Sequence, residues 1–194
     1  MTASVDLGPG TALIVVDVQR DFCPGGALPV PEGDAVVPVL NRWIAAAEEA
    51  GALLVFSRDW HPRGHPSFAA EGGPWPEHCL QDTPGAAFHP ALRVPETAHL
   101  VSKGTRFDKD QYSAFDETGL AALLAKRGIR RVLIGGLARD VCVKATALDA
   151  VGAGFETWLI SEGARALGPE SGAAADREMT AAGVHILKAP APGA

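Results

Sequence analysis

With 194 residues, 47% of them apolar, the chain is long enough to bury a sizeable core, and its formal net charge of −6 is dispersed rather than gathered into an acidic tail. No lysine- and arginine-rich block is present, which argues against the clustered positive face of a nucleic-acid binder and against a basic membrane-binding face. Three irregularly spaced cysteines, Cys23, Cys79 and Cys142, fit a reducing cytosol better than a secreted disulfide framework. Residues 1–10 lack a signal-peptide pattern, and no apolar run approaches the roughly 20 residues that span a bilayer. The expectation is a cytoplasmic globule of one domain over 1–194, with its core at about 12–188 and a frayed tail at 189–194.

Thr11 to Val16 is a continuous β-branched and apolar run, as expected for a strand buried on both faces. Ala35 to Ala50 has helical spacing (Val36, Leu40, Trp43, Ala47), and Gly51 is placed to stop it. Leu53 to Ser57 and His99 to Ser102 read as strands. Between them, Arg58 to Ala98 is rich in Pro, Gly and His without periodicity, and a segment of that kind within a compact domain is usually functional. Gly119 to Lys126 reads as helix, Arg131 to Gly135 as strand, Val141 to Val151 as helix and Glu156 to Ile160 as strand. Ser171 to Ala182 is a further helix and Val184 to Leu187 a last strand. Strands separated by helices imply an α/β three-layer sandwich with a mostly parallel, doubly wound sheet. Ligands of such sheets bind beyond the carboxyl ends of the strands. Asp17, Asp59, Lys103 and the Gly135-Gly136 turn all follow strands and should converge there.

Cys142 ends the run Gly135-Gly136-Leu137-Ala138-Arg139-Asp140-Val141-Cys142, a glycine-rich turn from strand into helix. With Asp140 as the N-cap, Cys142 falls in the first helical turn, where unpaired amides and the positive dipole end favour a thiolate and could hold an oxyanion. A small buried cysteine packing helix onto sheet fits the same pattern. Asp17 ends an apolar strand, where a carboxylate needs a partner or a task, or caps the next turn. Lys103 poses the same question, with a solvated strand end as its ordinary fate. Together the three make a coherent set of base, cation and nucleophile.

A second group carries metal-ligand chemistry. Asp59 and His61 are two apart, so in extended backbone they point the same way, and His78 could reach the same ion across the loop. Two imidazoles and a carboxylate leave positions open and suit a divalent Zn, Fe or Mn ion, although any one loop histidine is more often a surface residue. His65, Ser67 or Glu71 could complete the shell; the spacing does not choose among them. His89, His99 and His185 read as structural. Phe22 and Trp75 could wall a flat ring, or simply pack the core.

The blocks Asp17-Val18-Gln19-Arg20-Asp21-Phe22, Asp59-Trp60-His61-Pro62, Trp75-Pro76-Glu77-His78-Cys79, Ser102-Lys103-Gly104 and Gly136-Leu137-Ala138-Arg139-Asp140-Val141-Cys142-Val143 resemble, in order, the nicotinamidase/pyrazinamidase branch of the isochorismatase-like cysteine hydrolases. The resemblance runs from about Ala12 to Lys188 and includes Tyr112-Ser113-Ala114-Phe115. It implies a six-stranded parallel sheet, a catalytic Asp17, Lys103, Cys142 triad and a metal bound by Asp59, His61 and His78. It also implies ring stacking by Phe22 and Trp75, and an oxyanion hole from the amides of Ala138 and Cys142 with a cis peptide between Leu137 and Ala138. Arg139 and Val141 depart from the motif, which more often carries Thr and an aromatic residue there.

The expected activity is hydrolysis of nicotinamide to nicotinate and ammonia through a thioester, in NAD salvage, with pyrazinamide accepted as an analogue. Nicotinamide, anchored through its ring nitrogen on the ion, would present its carboxamide to Cys142 while Asp17 moves the proton and Lys103 acts electrostatically. A small homo-oligomer is compatible with the resemblance. The rivals are a related hydrolase of another amide or carbamoyl compound, and a non-catalytic small-molecule-binding or carrier module of the same fold. A nucleotide-binding domain is a third, although Gly135-Gly136-Leu137-Ala138 lacks the phosphate-cradling spacings.

Overall fold

The first strand, β1 (Thr11–Val16), is buried along its whole length, as its unbroken apolar run requires. Its side chains alternate between two cores: Leu13 and Val15 enter one, Ala12, Ile14 and Val16 the other. Around it, the computed structural model, which describes residues 5, 7–188 and 190–191, sets β2 (Leu53–Asp59), β3 (His99–Lys103), β4 (Arg131–Leu137), β5 (Glu156–Arg165) and β6 (His185–Leu187). The six strands are parallel and lie in the order β3-β2-β1-β4-β5-β6. The chain therefore winds outward from β1 through β2 to β3, then returns to lay β4 on the other side of β1. That reversal of direction opens a crevice beyond the carboxyl ends of β1 and β4.

Helix α1 (Val36–Ala50) covers one face, burying Leu40, Trp43 and Ile44 against Leu13, Val15, Phe56 and Leu133. Each such side chain contributes about 1.5–3 kcal/mol through removal from water. Gly51, with φ of 74°, ends the helix by donating its N–H to Ala47 and Glu48 carbonyls. On the other face lie α2 (Leu120–Lys126), α3 (Lys144–Gly152) and α4 (Pro169–Ala182), which contribute Leu120, Leu124, Ala147, Ala150, Ala175 and Met179 to the second core. Among the described residues no helix is long and apolar enough to cross a membrane.

Two segments differ from the sequence expectation by more than a residue or two at an end. β5 continues past Ile160 to Arg165, across a shift in its pairing with β4 between Ile134 and Gly136. Its apolar run is interrupted there by Ser161, Glu162 and Gly163, so periodicity lost the strand where the ladder did not. The helix expected from Val141 begins as a π-helical turn over Arg139–Val143 and becomes α3 only at Lys144. The loop after β2 holds little regular structure beyond short 3-10 turns at Ala69–Glu71 and Pro84–Ala86. The tail expected at 189–194 falls largely on 189 and 192–194, which lie outside the described residues.

Gly136 takes φ of 134°, and a Cβ on it would be driven into the backbone of Val16 on the neighbouring strand. Gly136→Ala is therefore expected to destabilise the fold by about 2 kcal/mol or more, read as a lower urea midpoint with an unchanged m-value.

Candidate functional site

Three neighbouring strands end at the same level, and each ends in or just before a charged residue. Asp59 and Lys103 are register partners at the ends of β2 and β3. Asp17 follows β1 and takes a left-handed φ of 49°, a conformation Asp tolerates better than most residues. Its backbone N–H donates to the Ser57 carbonyl, and its carboxylate Oδ1 accepts from the Ser57 hydroxyl at 2.7 Å. The Lys103 ammonium reaches into the middle of this group. Its Nζ lies 2.7 Å from Asp17 Oδ2, 2.5 Å from Asp59 Oδ1, 3.4 Å from Cys142 Sγ and 3.5 Å from the Gln111 carbonyl. Lys103 and Asp17 are fully buried, and Asp59 and Cys142 are each 5% exposed.

Burial works to lower the pKa of Lys103; Asp17, Asp59 and Cys142 outweigh it and hold the ammonium well above the usual lysine range. For Asp59 burial is likewise opposed, chiefly by Lys103, so its carboxyl sits well below the usual range. Asp17 goes the other way: burial raises it, Lys103 offsets part of the rise, and Asp59 adds to it. Burial also pushes the Cys142 thiol well up, against the pull of Lys103 and with help from Asp17 and Asp59. The thiolate expected from the helix terminus is thus not the favoured resting form. A protonated sulfur is, and Asp17, Asp59 and Cys142 bring their ligating atoms within 4.8 Å of one another.

Asp59 turns its second oxygen to a pair of imidazoles. Oδ2 lies 3.6 Å from His61 Nε2 and 3.8 Å from His78 Nε2, too long for hydrogen bonds and well spaced for an ion between them. Each ring is oriented from behind: His61 Nδ1 donates to the Gly104 carbonyl at 2.8 Å, and His78 Nδ1 to the Pro76 carbonyl at 2.7 Å. In their neutral forms both therefore present the Nε2 lone pair to Asp59, as metal-bound histidines do. His61 Nε2 is buried and has no hydrogen-bond partner, an orphan that a cation would satisfy. The three residues fit a divalent ion. Of the three residues that could complete the shell, His65 is buried beside His61, at 4.2 Å between ring centroids, and its Nε2 is a second buried orphan. Its pKa is pulled down to about 4, first by burial and then by His61. Ser67 hydrogen-bonds His65 Nδ1 at 2.7 Å, and Glu71 is exposed.

Asp59, His78, Ala138 and Cys142 open on one cleft, which Phe22 and Trp75 also line. Leu28, Val30, Val141 and Leu167 supply the rest of its apolar wall. The Phe22 ring lies 5.4 Å from His78. Sequence reasoning did not single out Tyr112, whose hydroxyl accepts from Trp75 Nε1 at 3.0 Å across the mouth, or Asp110, which lies within ligand distance of His61 and His65. Tyr112 is the chain's single tyrosine, and it stands in a segment already noted for its resemblance. Gln19 was also missed: its amide accepts from Asp59 N–H and donates to the Asp59 and Ala86 carbonyls, fixing the backbone that aims the carboxylate. His89, His99 and His185 stand apart from the cleft; His185 stacks on Trp158.

The turn carrying Cys142 corrects one expectation. Ala138, not Asp140, occupies the N-cap position, and no side chain caps the turn. Asp140 instead accepts from the Leu167 N–H at 3.0 Å and the Ser171 hydroxyl at 2.5 Å, because those donors are brought over it by the loop between β5 and α4. The peptide joining Leu137 to Ala138 is cis.

Comparison with known proteins sets this geometry in context. The Isochorismatase domain family model matches residues 11–191. The nicotinamidase of Escherichia coli is 40% identical over 201 residues, covering 92% of this chain and 94% of that protein. The crystal structure of the pyrazinamidase of Pyrococcus horikoshii in complex with zinc aligns with a TM-score of 0.91 at 50% identity, covering 93% of this chain and all of that one (100%). The crystal structure of the yeast nicotinamidase bound to the inhibitor nicotinaldehyde aligns with a TM-score of 0.86 at 28% identity, covering 92% and 100%.

Lys103 is the only positive partner that the two buried carboxylates share among the described contacts. Lys103→Met should therefore cost about 3–5 kcal/mol at neutral pH, more than truncation of an exposed lysine such as Lys126, measured by chemical denaturation. A loss below about 1 kcal/mol would show that the carboxylates do not depend on it.

Proposed function

The chain belongs to the isochorismatase domain family, and from that premise we propose that it is a metal-dependent cysteine amidase hydrolysing nicotinamide to nicotinate and ammonia, with pyrazinamide as an analogue it also accepts. The observation that carries this reading is the buried ammonium of Lys103, in reach of Asp17, Asp59 and Cys142, the last two of which open on a cleft lined by Phe22 and Trp75. A thiol, a carboxylate and a cation placed so, beside two imidazoles with free lone pairs, suit acyl transfer from a flat heteroaromatic amide.

Asp59, His61 and His78 would hold the ion, zinc by analogy with the Pyrococcus pyrazinamidase and with Fe or Mn suited to the same donors. When bound, it supplies a Lewis-acidic anchor for the pyridine nitrogen. Phe22 and Trp75 would sandwich the ring and hold the carboxamide carbon over the sulfur, and fixed geometry of that kind contributes several kcal/mol to lowering the barrier. Asp17 accepts the thiol proton as sulfur bonds to the carbonyl carbon, and the carbonyl electron pair moves onto oxygen. The amides of Ala138 and Cys142 receive that oxyanion, a contribution of roughly 2.7–4 kcal/mol per donor in comparable sites. Collapse breaks the C–N bond, Asp17 returns its proton to the departing nitrogen, and ammonia leaves a thioester. Water then attacks the thioester carbon, giving its proton to Asp17, and nicotinate is released as the thiol re-forms. The raised pKa of Asp17 suits a group that must both take and return a proton. Lys103, held firmly protonated, acts by charge alone. We place the reaction in the cytosol, as a step of NAD salvage, where three free thiols stay reduced.

Cys142→Ala should abolish ammonia release from nicotinamide, and Asp17→Asn should lower kcat by about 10²–10⁴-fold. Dialysis against a strong chelator should remove activity and added zinc should restore it. Turnover by the alanine variant would overturn the nucleophile assignment; full activity after metal removal would overturn the anchoring role.

A further inference from the structure

The nucleophile's turn is fastened from outside the cleft. The Arg139 guanidinium makes a two-pronged contact with Asp176 on α4, Nε to Oδ1 at 2.7 Å and Nη2 to Oδ2 at 2.8 Å. The same guanidinium lies 3.4 Å from the carbonyl and the hydroxyl of Ser161 on β5. Its side chain is 16% exposed and that of Asp176 37%. Neither residue lines the cleft; both line a separate surface groove at the start of α4. Yet Arg139 follows Ala138 directly and stands three residues before Cys142, so whatever holds its side chain holds the short π turn between the two amides assigned to the oxyanion. This turn has no side-chain cap of its own, so its orientation depends on outside ties, the Arg139 contact being one and the Asp140 contacts with Leu167 and Ser171 another.

We propose that Arg139 is a positioning residue: its paired contact with Asp176 keeps the Ala138–Cys142 turn oriented so that both amides meet the developing oxyanion. This rests on the amidase reading above. A partly exposed ion pair stabilises a fold only slightly, whereas a displacement of about 1 Å at reacting atoms costs up to 10²-fold in rate. A small effect on stability with a large one on kcat is the signature of the role.

The test uses metal-loaded full-length protein, as wild type, Arg139→Ala, Asp176→Ala, the double alanine variant and Arg139→Lys. Steady-state ammonia release gives kcat and KM. Calorimetry gives the affinities for nicotinate and for nicotinaldehyde, whose carbonyl carbon takes the Cys142 sulfur while its electron pair moves to oxygen and the thiol proton passes to Asp17. Each alanine change should lower kcat by about 10- to 100-fold with KM within about threefold. Nicotinaldehyde binding should weaken by a similar factor and nicotinate binding should hold. The double variant should lose no more than either single one, because one contact is removed in all three. Arg139→Lys, which keeps the charge without the fork, should show a smaller loss and serves if the alanine variants do not fold. Unchanged kcat in the variants that fold, additive losses, or equal weakening of both ligands would overturn the inference and leave the amidase reading standing. A wild-type protein that does not hydrolyse nicotinamide would overturn that reading, and this inference with it.

Discussion

A lysine with no access to water lies between two carboxylates and a thiol, and the rest of the site is arranged around that fact. Stripping an ammonium and two carboxylates of solvent costs several kcal/mol per ion, recovered only if the partners are close and further hydrogen bonds satisfy the remaining lone pairs. Here Ser57 donates to Asp17, Gln19 holds the Asp59 backbone, and Lys103 reaches both acids. The sheet makes this arrangement: β1, β2 and β3 are adjacent and in register, so residues ending each strand arrive at one edge together. Asp59 is the joint between two chemistries, with one oxygen on Lys103 and the other between two imidazoles. The group around Lys103 and the pair of imidazoles are therefore not independent, and a change at either is felt through that one carboxylate.

The same edge explains why the backbone is tight where β1 and β4 meet. Gly136 comes too close to Val16 for any side chain, and that approach draws the start of the Cys142 turn over the end of β1. The positions of Asp17 and Cys142, 125 residues apart along the chain, are set by one pair of hydrogen-bonded strands.

Much of this was legible in the sequence, for physical reasons that differ by residue. Thr11–Val16 reads as a doubly covered strand because nothing polar interrupts it, and a charge that ends such a run, Asp17 or Lys103, must find a partner or water. The glycine-rich approach to Cys142 likewise reads as a strand-to-helix turn. The candidate ligands and ring walls were visible as residue types, Asp59 and His61 through their spacing, and the family resemblance supplied their roles, since loop residues such as Trp75 and His78 carry no periodicity. What could not be read are contacts between segments without a pattern. Asp140 looks like a cap, but its partners lie 27 and 31 residues on. Tyr112 meets Trp75 only because two loops fold over one mouth. The state of Cys142 is legible only in part for a related reason: the helix terminus, which favours a thiolate, is local and visible, whereas the burial that pushes the thiol up is tertiary.

That protonation bears on how such a sulfur is kept in service. A thiolate is the form that oxidants and stray electrophiles attack, so a resting thiolate would be spent on reactions other than acyl transfer. In this cleft burial and the two carboxylates keep the sulfur protonated, while the Lys103 ammonium stands ready to meet negative charge once it forms. Under the proposed function, charge appears on sulfur only as the proton moves to Asp17 and a carbonyl carbon is in place to receive the electron pair. Specificity then comes in part from timing. The nucleophile is generated by the geometry that a bound flat amide completes, and the cost of ionising a buried thiol is met only when an oxyanion can replace the thiolate on the backbone amides.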